Sequence, residues 1–242
     1  NFMALGMGNY GAMAVSVFSN ALLARRLGAE QWGNLALLLM ASQVLLLVAV
    51  NWTHAGFVRF GAIEFAEGGE VRETLSVRLG LLWPTAGLGL LTMAVAREPL
   101  AAYLSIPPVA IWLLVVHFIA ACALSLIGAI FQARDQMARY GACLFLDKAG
   151  MLFCVAVLPA AWTQHALPAL ACYAATSLTV ALWGVSVVGV SALRPMWPAS
   201  APFKRMLVKV KKEIIAFGVE GVDETAEVVD GVARGVRERA AA

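Results

Sequence analysis

The chain of 242 residues is 61% hydrophobic and only 14% charged, with a mean hydropathy of +0.80. Soluble domains are about 45–50% apolar and about 25% charged, so this composition excludes an ordinary soluble domain and predicts an all-α, polytopic membrane helix bundle. The formal net charge of +3 excludes little, because the placement of the basic residues says more than their sum.

A bilayer core about 30 Å thick needs ~20 apolar residues per helix, and the chain offers six such stretches. Span one is expected at 2–24 and span two at 32–58, with the polar turn ARRLGAEQWG between their apolar bodies. Span three is expected at 75–96. The apolar run 99–133 is too long for one helix and carries Pro107-Pro108 near its start. Residues 99–107 therefore read as a loop or interfacial turn and 108–133 as span four, ended by QARDQMARY (132–140). The run from Ala149 to Leu193 divides at WTQHALP (162–168), which places span five at 141–161 and span six at 167–192. Helices satisfy their own backbone hydrogen bonds in lipid, so six helices with short connections make a natural bundle.

Lys and Arg concentrate on the cytoplasmic side of membrane proteins. Arg59, Arg72 and Arg78 follow span two, Arg134 and Arg139 follow span four, and Arg194, Lys204, Arg205, Lys209, Lys211 and Lys212 follow span six. The alternate loops carry only Arg25, Arg26 and Arg97. Both termini are therefore expected to be cytoplasmic. The composition turns polar beyond Pro195, dividing the chain into a membrane domain (1–195) and a cytoplasmic segment (196–242). Within the latter, FKRMLVKVKKEIIAF (203–217) sets Phe203, Met206, Leu207, Val210, Ile214 and Phe217 at helical spacing opposite lysines. Such a basic amphipathic helix suits an anionic inner leaflet or a solvated position after the membrane domain. The stretch 219–242 is polar with weak periodicity and reads as a loose helix or disorder.

No secretory signal peptide is visible, because Arg25-Arg26 rather than a small-residue cleavage site follows the first apolar run. Asn1 opens the chain with no polar flank before Phe2, a pattern expected of a fragment. Cys122, Cys143, Cys154 and Cys172 lie inside apolar stretches without metal-type spacing, and each reads as a small buried hydrophobe.

Polar groups in hydrocarbon are costly, so their helical faces are the best functional clue a membrane sequence offers. Asn9, Ser16 and Asn20 share a stripe on span one. Gln43, Asn51 and His54 fall within about a quadrant of span two, with Arg59 near its cytoplasmic end. His117, Ser125, Gly128 and Gln132 align on span four. Stripes on several helices suggest a bundle around a hydrated cavity, although Asn, Ser and small residues also serve purely to pack helices together. Asp147 and Lys148 open span five; neighbours on a helix do not face each other, so each is expected to need its own partner. No phosphate-binding glycine loop, metal-binding histidine pair or nucleophile elbow is present. Catalysis, a cofactor, a metal site and a nucleic-acid partner are accordingly not expected.

ARRLGAEQWGNLALLLMASQ (24–43) resembles the first loop and second helix of the polysaccharide biosynthesis or O-antigen flippase family, within the multidrug, oligosaccharidyl-lipid and polysaccharide exporter superfamily. The resemblance rests on Ala24, Arg25, Leu27, Gly28, Glu30, Trp32 and Gly33, with GFVRF (56–60) and QARDQMARY matching further family features. The turn also makes physical sense by itself: Gly28 can cap one helix, Arg25 and Arg26 suit its C-terminal end, and Glu30 suits the start of the next. A generic helical hairpin would show the same features. The resemblance implies a flippase for an undecaprenyl-diphosphate-linked glycan in a bacterial inner membrane, with Asn9, Asn20, Asn51, His54, Arg59, His117 and Lys148 toward the substrate cavity. It implies Asp147 and Arg25 in coupling or gating. Members usually have twelve or more spans in two lobes, so the match covers about 1–195, one lobe, with a second six-span lobe or a homodimer as the implied complement. The alternatives are a non-transporting membrane subunit that recruits a polysaccharide-assembly partner, and half of a drug exporter of the same superfamily.

Overall fold

A computed structural model describes residues 2–103, 106–157 and 165–189. The chain divides after Met196, and every described residue precedes that division. The expected amphipathic helix (203–217), the polar tail (219–242) and the basic residues from Arg194 onward lie outside the described residues, as do the last residues of expected spans five and six.

Among the described residues all regular structure is helical: α1 (Phe2–Ala49), a single 3-10 turn (Asn51–Thr53), α2 (His54–Gly68), α3 (Arg72–Tyr103), α4 (Val109–Ala133), α5 (Met137–Val157) and α6 (Ala166–Val188). Five helical stretches are long and apolar enough to cross a membrane, where the sequence predicts six. This is the architecture of a multi-pass membrane protein. The count differs at Leu5–Gly68, one continuous stretch that takes in expected spans one and two. Inside it Gly28 leaves the helical region at φ 75° and ψ 170°, a conformation that side chains with a Cβ essentially cannot adopt.

Contacts on the two sides of Gly28 run in opposite directions. Gly8 lies against the Gly141 backbone, near the start of α5, and the Arg26 guanidinium donates to the Val155 carbonyl near its end. Beyond the break, Gln31 accepts from the Ala166 amide at 3.3 Å, whereas Gly61 packs on Ala133 at the far end of α4. The two parts of α1 are therefore an antiparallel pair within one helical element. The later helices continue the alternation. Thr85 of α3 donates to the Ala49 carbonyl at 2.8 Å, and Gly184 of α6 sits against Ile127 of α4.

Three boundaries differ from expectation for local reasons. The expected end of span two at 58 is passed, because the helix resumes after the 3-10 turn and stops only at Gly69, which caps it in the left-handed conformation at φ 71°. Span three starts at Arg72 rather than 75, since the Glu64 carboxylate accepts from the Glu73 and Thr74 amides at 2.7 and 2.8 Å and fixes the first turn. Residues 99–103, expected in a loop, belong to α3 despite Pro84 and Pro99 within it. Prolines are tolerated in membrane helices where neighbouring groups take up the freed carbonyls.

The most extensive pairings are α1 with α5 and α4 with α6, and small residues make them. A Cβ added to Gly8 of α1 would meet the Gly141 Cα of α5 at 2.5 Å, and one on Gly184 of α6 would meet the Ile127 Cγ2 of α4 at 2.8 Å. Such seams gain dispersion contact rather than hydrophobic free energy, since lipid tails are as apolar as Leu. Two buried clusters result. Leu23, Leu35, Leu38, Leu114, Phe118 and Leu170 fill one end of the bundle, and Phe57, Leu75, Ile127, Ile130, Phe131 and Val180 fill the other. Met7, Val17, Phe18, Leu47, Trp83, Leu91, Phe153 and Leu182 point outward and are exposed, as lipid-facing side chains should be.

Candidate functional site

Where the two clusters meet, a cavity of about 440 Å³ opens between the second part of α1, the α2 start, α4, α5 and α6. Its polar lining is Gln43, Asn51, His54, His117, Ser125, Tyr140, Asp147, Lys148 and Ser177. The 3-10 turn at Asn51–Thr53 delivers two of these: it interrupts the regular helix, is tied by the Thr53 hydroxyl to the Val50 carbonyl at 2.9 Å, and leaves Asn51 and His54 on the cavity wall. The α4 stripe supplies His117, Ser125 and Gly128 at spacings of eight and three residues, which fall on one helical face. Gln132, last on that stripe, interacts with both His54 and Tyr140.

The charged centre is on α5. The Lys148 Nζ lies 2.7 Å from Asp147 Oδ2 in an ion pair, and the Ser177 hydroxyl donates to Asp147 Oδ1 at 2.8 Å. The expectation that the two residues need separate partners is thus corrected. Their Cα–Cβ vectors do diverge, but the four-carbon lysine stem is long enough to bring its ammonium back over the neighbouring carboxylate. The weak dielectric of the bundle interior makes that approach favourable. Lys148, with Leu144, also lines a second cavity of about 610 Å³ formed by Leu5, Gly6, Asn9, Tyr10, Ala12, Met13 and Ser16. Lys148 therefore stands at the wall shared by two cavities, with Asp147 on the central one.

Of the residues singled out in the sequence, Asn51, His54, His117, Asp147 and Lys148 line the central cavity. Asn9 lines the second one. Asn20 lines neither: it accepts from the Tyr173 hydroxyl at 3.3 Å, and Tyr173 in turn meets His117 edge to face at 6.0 Å between ring centres. Arg59 is exposed, with its guanidinium 6.0 Å from the Phe60 ring centre, and Arg25 is exposed near the Gly28 break; neither lines either of these two cavities.

Sequence reasoning missed Arg78. Counted as a loop charge, it sits in the second turn of α3 with 2% of its surface exposed. Its guanidinium carbon lies 4.8 Å from the Phe57 ring centre, and Nη2 reaches the Ser125 hydroxyl at 3.5 Å. The signal that could have found it is the expected start of span three at 75, which already sets residue 78 inside a helix although it was grouped with the loop charges.

The same end of the bundle carries Arg59, Arg72, Arg134 and Arg139, while Arg25, Arg26 and Arg97 are at the other. Arg134, just past α4, stacks near Phe65 at 5.9 Å. Burial lowers its guanidinium from the usual range, partly opposed by Glu70. Among the described residues no group of three His, Cys, Asp or Glu side chains is placed to hold a metal ion. Comparison with family models, with curated proteins and with solved structures gives no match to the chain.

Proposed function

We propose that the bundle is one lobe of a lipid-linked oligosaccharide flippase, which carries an undecaprenyl-diphosphate-linked glycan across a bacterial inner membrane by alternating access. The observation that carries this reading is the Asp147–Lys148 pair on the wall of a polar cavity inside an otherwise apolar bundle. A helix bundle that needed only stability would gain little from such a pair, because desolvating two charges offsets most of their attraction.

No bond is made or broken in this mechanism. An incoming diphosphate competes with Asp147 for Lys148, so loading the cavity exchanges an internal ion pair for an external one. Asn51, His54 and His117 supply hydrogen bonds to hydroxyls, while the prenyl tail stays in the bilayer. Asn9 extends the polar wall into the second cavity. Arg59 and Arg25 act at the two rims, and a second lobe, either another six-span unit or a second copy, closes the open side. With the arginine-rich end in the cytoplasm, the positive-inside rule sets the starting face of the cycle.

The test is export. The chain, alone or with a separate second lobe, is expressed in a bacterium lacking its flippase, and surface polysaccharide is measured beside membrane insertion. Export is expected to return with the unaltered chain and to vanish with Lys148→Ala at equal insertion. Absence of export from a correctly inserted pair of lobes overturns the reading, and normal export with Lys148→Ala removes that lysine from it.

A further inference from the structure

Arg78 is the only Arg, Lys, Asp or Glu among the described residues that is buried. Its Nε and Nη1 have no hydrogen-bond partner, and its one side-chain bond, to Ser125, is long at 3.5 Å. Two acidic residues at this end are engaged elsewhere: Glu64 holds the α3 amides and Glu70 pairs with Arg72 at 2.9 Å. Phe57 offers its ring face, which stabilises a guanidinium only in part. A buried cation left this way lacks its counter-charge, since buried charges in proteins are paired or bound to an ion.

The position of Arg78 tells which counter-ion fits. Six residues of helix separate it from Arg72, about 9 Å at 1.5 Å per residue, so it lies one to two turns inside the arginine-rich end. Ser125, the residue it touches, is on the cavity wall together with His54. A guanidinium with two unpartnered donors thus stands directly behind a hydroxyl of the cavity wall, with an imidazole on the same wall, and the three together form a donor set suited to a tetrahedral oxyanion. At this depth in a membrane the abundant group of that kind is a phosphate, carried by a lipid headgroup or free in the aqueous cavity.

We propose that Arg78, with Ser125 and His54, binds a phosphate group at the arginine-rich end of the central cavity. Two open guanidinium donors take the phosphate oxygens, Ser125 adds one hydroxyl, and Phe57 keeps the guanidinium from swinging outward. The site is separate from the Asp147–Lys148 pair and does not require that the chain transports anything.

The test uses the whole chain, purified into detergent and into nanodiscs of zwitterionic lipid, with phosphate-free buffer. Inorganic phosphate is titrated in one arm, and phosphatidylglycerol replaces part of the nanodisc lipid in the other. Thermal stability and binding are read in both. At least one probe is expected to raise the melting temperature of the unaltered chain. Arg78→Gln should weaken that probe's apparent affinity roughly ten- to a hundredfold, as loss of a charge-assisted bond does, and Arg78→Lys should recover part of it. A response to phosphate assigns the site to a free anion; a response to phosphatidylglycerol alone assigns it to a headgroup. Should Arg78→Gln not fold, Ser125→Ala, which removes one hydroxyl, is expected to weaken the same response by a smaller factor. No response of the unaltered chain to either probe, or an undiminished response in the variants, overturns the proposal.

Discussion

The middle of the bundle and its arginine-rich end treat a cation in opposite ways. At the middle, Lys148 is matched by the carboxylate next to it, and that carboxylate is matched again by Ser177. At the end, Arg78 is more deeply buried yet has only an aromatic face and a long bond to a hydroxyl. A matched charge is part of the scaffold at rest, because removing either end strands the other. An unmatched one weakens the empty protein, and its retention makes sense only where something from outside completes it. The contrast separates two ways for a buried cation to meet a ligand: Lys148 would have to exchange its internal partner, whereas Arg78 has an incomplete shell to fill.

Three substitutions separate the two regions, read as equilibrium or thermal unfolding in phosphate-free detergent. Asp147→Ala should cost most, because it strands Lys148 and removes the acceptor of Ser177. The lysine side chain is 38% exposed, so solvent screening reduces the loss to about 2 kcal/mol, below that of a fully buried pair. Arg78→Met should act in the other direction and raise stability by about 1 kcal/mol, because relief of the buried charge outweighs the guanidinium's attraction to the Phe57 ring. A loss from Arg78→Met as large as that from Asp147→Ala would erase the distinction between the regions. Asn20→Ala is the neutral reference: it breaks a 3.3 Å bond with Tyr173 and should cost about 0.5 kcal/mol, typical of interhelical hydrogen bonds in membranes. A much larger effect there would mean that polarity in general, rather than charge, holds the middle of the bundle.

Hydropathy made the apolar helices legible, and periodicity made most of the central cavity legible. The stripes Gln43, Asn51, His54 and His117, Ser125, Gly128 meet on one cavity, because a residue too costly to face lipid must face inward wherever its helix packs. What was not legible has three physical sources. A hydropathy window ends at EFAEGG although the helix runs to Gly68, since helix propensity and lipid solubility are different properties. That error displaced the start of α3 by three residues, and Arg78, although inside the expected span, was missed because a cation in the first turns of a membrane helix reads as interfacial. Backbone geometry predicts where Cβ atoms point but not where a flexible stem ends, which is why the Asp147–Lys148 pair was unexpected. Asn20 shares a stripe with Asn9 and Ser16 but is drawn off by Tyr173, a partner 153 residues away in sequence that no local pattern encodes.

The break at Gly28 also bears on how the protein is made. One residue turns the chain between the two antiparallel parts of α1, so neither part can adopt its place in a bilayer independently of the other. If the arginine-rich end stays on the side of synthesis, the tip bearing Arg25, Arg26 and Glu30 crosses as a unit, with the apolar length of both arms released into lipid at the same moment. Biogenesis then proceeds by hairpin rather than by single helix, and a fault at the tip would be seen as two misplaced segments instead of one.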